Sequence, residues 1–361
     1  MKTTVAVIFG GKSAEHDVSL KSATNIYNAI DTTELKPLLL GVDYNGQWRF
    51  NDNYGETNVD LYQNDYFSGA SFVSLKKGTG AIEIISQDSN RSLASFHVAF
   101  PIIHGTFGED GTLQGILKSL EVAYVGPDIL GSAIGMDKEV AKRLLRDAGI
   151  PISAFFTLYR HNPGQFSFEE IVQELGLPLF VKPANAGSSV GVSKVANKAE
   201  FERAVSEAFI YDKKILVEEA VFGKEVECAV LGNEVVKASV LGEIVSAANF
   251  YSYEEKYLNL DGVQTKIPAE IGEQASAQIR ATAIKAFGVL CCEGMSRIDF
   301  FLREDNTFVL NEINTLPGFT ATSMYPQLWE HTGIPYPRLL SELVQLAQHR
   351  QERETVLKYT I

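Results

Sequence analysis

Five apolar residues in a row, Val5, Ala6, Val7, Ile8 and Phe9, stop at Gly10 and Gly11, and this limits the fold more than anything else in the chain. A run so short and so uniformly apolar fits a strand buried on both faces. The glycine pair predicts a turn out of it. Residues 13–30 then carry Val18, Leu20, Ala23, Ile26 and Ile30 at helical spacing. A second strand is expected over 38–42 and a third over 96–103. A glycine-rich loop at 104–111 and a helix over 112–120 follow. Strand alternating with helix predicts an α/β class with a parallel sheet, its ligands at the C-terminal ends of the strands. Residues 47–92 are polar and irregular and give no assignment.

Gly126 and Pro127 mark a first boundary. Beyond it the pattern predicts a helix over 138–148, a strand over 178–183 and a helix over 201–208. Strands of a mixed sheet are expected at 214–218 and 225–230, and an amphipathic helix over 273–287. Paired strands at 296–302 and 307–311 and a closing helix over 336–350 complete the chain, which turns α+β toward its C-terminus. At about 100–200 residues per domain, 361 residues make two or three domains. The net charge of −13 repels phosphate backbones and anionic lipids, so neither nucleic acid nor membrane is an expected partner. A small anion in a local basic pocket is still allowed. No apolar stretch approaches the ~18 residues of a membrane span, and the N-terminal run is short for a signal peptide, so a cytoplasmic location is expected. Cys228, Cys291 and Cys292 include no CxxC pair and read as reduced core residues.

Gly10, Gly11, Lys12 and Ser13 imitate a phosphate loop, but the glycine that such a loop needs five residues earlier is Ala6. No HExxH or GxSxG is present. Chemistry gathers at two other places. The first is Arg297, Asp299, Glu312 and Asn314. Residues two apart on a strand share a face, so two paired strands would put all four on one wall. Asp299, Glu312 and Asn314 are hard oxygen ligands suited to Mg²⁺ bridging phosphates, and Arg297 can stabilise developing charge. A surface ion-pair ladder is the bland alternative. The second is the loop over 182–191, where Lys182 precedes Gly187, Ser188, Ser189 and Gly191. Small residues let backbone N–H groups approach an anion, though flexible glycine–serine loops are common.

Together these signals imply ATP with magnesium and no Walker motif. Here the sequence resembles the ATP-grasp superfamily, and within it the D-alanine–D-alanine ligases over nearly the whole chain. The resemblance rests on residues 10–19, His104 and Gly105 with 108–115, Met136, Asp137 and Lys138, the 182–191 loop, residues 250–257, and the 297–318 strands. It implies an ATP-grasp fold with an N-terminal Rossmann-like substrate domain (1–126), a central subdomain (127–221) and a C-terminal subdomain with lid loop and magnesium site (222–361). It also implies a homodimer in the cytoplasm that makes D-alanyl-D-alanine for peptidoglycan through an acyl phosphate. Ligases forming D-alanine–D-lactate or D-alanine–D-serine share the fold. A non-catalytic ATP-binding regulator is the rival of a different class.

The roles that follow are those the resemblance implies. Glu15 holds the ammonium of the first D-alanine, with Ser188 and Tyr257 closing the pocket beside it. Lys138, Lys182, Ser189 and Lys256 face the phosphates of ATP. Glu218, Val221 and Glu225 hold the adenosine, Glu225 on the ribose. Asp299, Glu312 and Asn314 bind two Mg²⁺ ions, with Mn²⁺ as a substitute. Arg297 and the Gly318 N–H stabilise the oxyanion. Ser323 and the Met324 N–H take the second substrate's carboxylate, and Tyr257 and Met324 favour D-alanine in both sites. His104 lies near the first substrate's carboxylate or serves as a loop hydrogen-bonder.

Overall fold

The structure, a computed structural model, describes residues 2–54, 58–246 and 263–358. Strand β1 (Thr3–Gly10) is fully buried from Val5 to Phe9, as its composition requires. It lies between β2 (Leu35–Val42) and β7 (Val98–Pro101), parallel to both, and β8 (Ala123–Tyr124) continues in parallel beyond β7. The chain leaves β1 at Gly10, φ +91°, where a Cβ would stand 2.3 Å from the Val42 carbonyl oxygen. Only glycine fits that exit.

The 47–92 segment is a meander. Strands β3 (Trp48–Phe50), β4 (Ser71–Lys77), β5 (Ile82–Ser86) and β6 (Ser92–Phe96) add antiparallel to β2. The order becomes β6-β5-β4-β3-β2-β1-β7-β8, so the parallel sheet expected here is one half of a mixed one. Tyr66, between β3 and β4, is buried with its hydroxyl donating to the Leu39 carbonyl of β2 at 2.9 Å. The single strand expected over 96–103 is interrupted. Phe96 ends β6, and His97 turns its Nδ1 to accept the Thr4 N–H at 3.0 Å before β7 begins.

Two antiparallel sheets follow. One has the order β11-β10-β12-β9, from β9 (Phe155–Tyr159), β10 (Leu179–Pro183), β11 (Ser193–Val195) and β12 (Lys214–Glu219). The other runs β15-β14-β13-β16-β17, from β13 (Lys224–Gly232), β14 (Lys237–Ser246), β15 (Val263–Lys266), β16 (Gly294–Leu302) and β17 (Phe308–Asn314). The strands expected at 214–218 and 225–230 therefore do not share a mixed sheet. Ile215 and Val217 pack toward Phe201 and Ala204 of the helix Lys198–Tyr211. Val226, Cys228 and Val230 pack toward Ile279 and Phe287 of the helix Glu273–Val289. The four-stranded sheet leaves its other face for the site, whereas Ala229 and Leu231 on the other face of the five-stranded sheet share a cluster with Leu328 and Leu339, so only part of that face reaches the site.

Strand β17 runs three residues past the expected end at 311, which brings Glu312 and Asn314 into the ladder. Cys228 and Cys292 are buried, and burial pushes the Cys228 thiol up to about 12. Cys291 is exposed, contrary to expectation, in the turn at the end of the helix Glu273–Val289. Its φ of +55° turns it out of the core. The closing helix, Tyr336–Thr355, lays Leu339, Leu340, Leu343 and Val344 against the β1 and β7 side chains. Arg350 anchors its far end by donating to the Gly126 and Tyr124 carbonyls at 2.5 and 2.7 Å. Among the described residues no helix is long and apolar enough to cross a membrane.

Candidate active site

Two cavities of about 820 and 870 Å³ lie where the three sheets meet. They share the side chains of Lys138, Ser188 and Glu312, so they are two lobes of one site joined at a charged waist. Glu15, His104, Arg297, Gly318, Ser323 and Met324 line the first lobe. Lys182, Ser189, Glu218, Val221 and Glu225 line the second.

Strand alternation builds the second lobe. On β10 and β12, Val181 and Val217 face the helices, while Lys182 and Glu218 face the cavity. Lys182 Nζ lies 2.9 Å from one Glu218 oxygen. The other oxygen is 3.3 Å from Nζ of Lys142, a residue that sequence reading missed. Lys142 Nζ also donates to Ser153 Oγ at 2.7 Å. Burial pulls Lys142 down to about 8 against the attraction of Glu218. Burial alone would push Glu218 up, but the charges on Lys142 and Lys182 outweigh it and hold the carboxyl below its usual range. Lys142 is one helical turn from Lys138 on the helix Lys138–Asp147, and that spacing was its legible signal.

At the waist, Lys138 Nζ donates to the Ala186 carbonyl at 2.7 Å and lies 3.4 Å from Glu312 Oε2. Glu15 stands at the start of the helix His16–Ala29, but its carboxylate makes no cap hydrogen bond. It accepts from Ser188 Oγ instead. A Cβ at Gly105 or Gly187 would lie 2.8 or 2.9 Å from Glu15 Oε2, so two loops close on this carboxylate because both are glycine there. Ser188 and Ser189 hold φ of +49° and +59°, a conformation costly for non-glycine residues and retained where a loop must present specific groups.

The wall expected from Arg297, Asp299, Glu312 and Asn314 is present. Arg297 pairs with Asn314, and Asp299 with Glu312, across β16 and β17. Arg297 forks onto Asp299 through Nε at 2.8 Å and a terminal nitrogen at 2.7 Å, and Asn314 Nδ2 adds a third donor at 3.0 Å. Burial works against the guanidinium charge, but Asp299 and Glu227 outweigh it and raise its pKa. Among the described residues no three of His, Cys, Asp or Glu form a group that could hold a metal ion. Two carboxylates and an amide still match Mg²⁺, which keeps waters and takes substrate phosphates as further ligands.

His104 is buried with both ring nitrogens engaged, Nδ1 toward the Leu316 carbonyl at 3.1 Å and Nε2 toward Ser22 Oγ at 3.2 Å. Ser22 Oγ accepts the Phe319 N–H at 3.2 Å. His104 thus ties the helix His16–Ala29 to the segment around Gly318 while lining the first lobe with Glu15. Ser323 Oγ accepts the Thr320 N–H at 2.9 Å. Met324 opens the helix Met324–Thr332 with its side chain in the core, so only its N–H suits a carboxylate. The motif at 250–257, with Lys256 and Tyr257, lies outside the described residues.

The chain matches two family models, D-ala D-ala ligase N-terminus over residues 4–127 and D-ala D-ala ligase C-terminus over residues 144–345. The chain belongs to the D-alanine–D-alanine ligase family. It is 50% identical to D-alanine--D-alanine ligase A of Salmonella typhimurium, with all of both chains covered. It is 49% identical to the D-alanine--D-alanine ligase of Proteus mirabilis, covering 99% of this chain and 98% of that one. The solved D-alanine-D-alanine ligase from Coxiella burnetii superposes with a TM-score of 0.85 at 35% identity, covering 98% of each chain. A D-Ala:D-Ser ligase from Enterococcus faecalis superposes with a TM-score of 0.84 at 35% identity, covering 96% of this chain and 100% of that one. As in these ligases, the fold is ATP-grasp.

Proposed function

We infer that the chain joins two molecules of D-alanine into D-alanyl-D-alanine at the expense of ATP. The two-lobed cavity carries the reading, because its lobes meet at Lys138, Ser188 and Glu312. A nucleotide in the second lobe would present its terminal phosphate to the first. A carboxylate is a poor electrophile, so transfer of that phosphoryl group to the first D-alanine makes an acyl phosphate. The second amine then attacks, and phosphate leaves.

The chain's own groups divide this work. Lys142 and Lys182 fix Glu218 at the base of the nucleotide lobe, where Val221 and Glu225 complete the adenosine site. Lys138, Lys182 and Ser189 receive phosphates. Glu15, steadied by Ser188, takes the first ammonium. Arg297 and the Gly318 N–H meet the oxyanion as the second amine attacks, while Ser323 and the Met324 N–H hold that substrate's carboxylate. Asp299, Glu312 and Asn314 would hold two Mg²⁺ ions, or Mn²⁺ in their place, which neutralise phosphate charge when bound. We place the reaction in the cytoplasm, in peptidoglycan precursor synthesis. We propose a homodimer, supported by exposed Ile116, Ile129 and Leu130 on packed neighbouring helices.

D-Alanine, D-lactate and D-serine offered together with ATP at neutral pH test the substrate assignment by mass spectrometry. D-Alanyl-D-alanine should dominate, with one ADP and one phosphate per dipeptide. A dominant ester or a serine product would overturn the specificity, and no product would overturn the reaction. The relatives at 49% and 50% identity are D-alanine–D-alanine ligases, while the solved structures at 35% include one ligase of each specificity. A narrower prediction concerns Lys142→Met. With one of its two cations gone, Glu218 loses its fixed position. The KM for ATP should rise ~10-fold while kcat at saturating ATP stays within ~3-fold, since a buried pair broken on one side loses several kcal/mol but touches no reacting atom. Initial rates against ATP concentration read both.

A further inference from the structure

Glu227 is a buried carboxylate that the reaction as described does not use. It sits on β13 directly across from Asp299 on β16, which is in turn across from Glu312 on β17. Three acidic side chains therefore cross three strands in one row. Glu227 is only 4% exposed, and its side chain reaches the substrate lobe. Its Oε2 lies 3.0 Å from Arg297 Nε. Burying a carboxylate beside two others costs stability unless a cation is shared among them.

Arg297 is that cation. Its guanidinium spans both neighbours, forked on Asp299 and touching Glu227. The two carboxylates are not equivalent. Asp299 has a second task as a metal ligand, and its oxygens cannot serve a divalent ion and a forked guanidinium at full strength together. Glu227 belongs to no metal set named above, and its 3.0 Å contact can keep the arginine when Asp299 turns away.

We propose that Glu227 is a positioning residue that holds Arg297 over the reacting carbonyl while Asp299 turns to the metal. The proposal rests on the ligase reading above. Without Glu227 the guanidinium falls back onto Asp299, competes with the metal there and leaves its place at the oxyanion.

Two conservative variants separate reach from charge. Glu227→Asp keeps the charge but is one methylene too short. Glu227→Gln keeps an oxygen at full reach but loses the charge. The readouts are kcat and KM for D-alanine and ATP, melting without metal, and Mn²⁺ binding in the presence of ADP and absence of D-alanine, followed by the free-Mn²⁺ electron spin resonance signal. The Gln variant should lose about 10-fold in kcat and need about 5-fold more Mn²⁺ for half-saturation, with KM for ATP within about 2-fold, because the 3.0 Å contact to Arg297 is an ion pair that an amide does not replace. The Asp variant should fall between it and the unmodified chain, since the charge stays but stands one methylene further off. A Gln variant within about 3-fold of the unmodified chain on each count would show that the charge does not hold the arginine and overturn the proposal. So would changes confined to melting. If the unmodified chain formed no dipeptide, the ligase reading would fail, and the Mn²⁺ curves would still decide whether Glu227 keeps Arg297 off Asp299.

Discussion

A chain carrying Glu312→Ala will bind ATP, keep its fold and form dipeptide ~10³-fold more slowly or not at all. The expectation follows from where Glu312 sits. Its side chain is 24% exposed at the waist, and Lys138 faces it at 3.4 Å. Breaking a partly buried pair of that kind costs on the order of 1–3 kcal/mol, so melting should fall by several degrees without loss of the fold. The catalytic loss is of another order. Asp299 is already committed to Arg297 and Asn314, so Glu312 is the carboxylate of the row best placed to give oxygens to a metal between the lobes. Glu312→Gln should recover part of the rate at high Mg²⁺, because an amide oxygen still coordinates. Phosphate release dependent on D-alanine, measured across a Mg²⁺ series, checks both. Full activity in the alanine variant would remove Glu312 from the site.

Period-two reasoning found this wall because alternation on a strand is nearly rigid. Arg297 and Asp299 must share a face, and so must Glu312 and Asn314. The same rule could have found Glu227, two residues from Glu225 on β13, but nothing in the sequence says that β13 pairs with β16. Cross-strand neighbours are a long-range fact. The 47–92 segment failed for a related reason. Strand β4 buries little more than Val73 and exposes most of its other residues, as an antiparallel extension with one wet face does. Val73 packs in one cluster with Ile8 and Leu40, both on strands far from it in sequence. His104 illustrates a third limit. A histidine in a glycine-rich loop signals a functional region, but besides Glu109 in its own loop its ring meets Ser22 and Leu316 on distant elements. Cys291 sits beside a truly buried cysteine and differs only by a left-handed turn, which its residue type does not announce.

Arg297→Ala should lower kcat by ~10²–10³, the scale for removing one oxyanion donor, with the KM for ATP changed little. It should also lower the melting temperature, and the two effects have different causes. The rate depends on a cation at the oxyanion. The stability depends on Asp299 and Glu227, which are 2% and 4% exposed and would both lose their guanidinium. Breaking a buried pair from one side costs ~3–5 kcal/mol, most of it from the charge left behind. Glu227→Gln added to Arg297→Ala removes one of those stranded charges. The double variant should therefore melt above the single one while its kcat stays as low. Arg297→Lys should fall between, because an ammonium supplies charge but not the planar fork that serves two carboxylates and a substrate at once. Thermal melting beside steady-state rates for the three variants separates the contributions. If the double variant recovered rate along with stability, the arginine would be a strut for the sheet and not the group that meets the oxyanion.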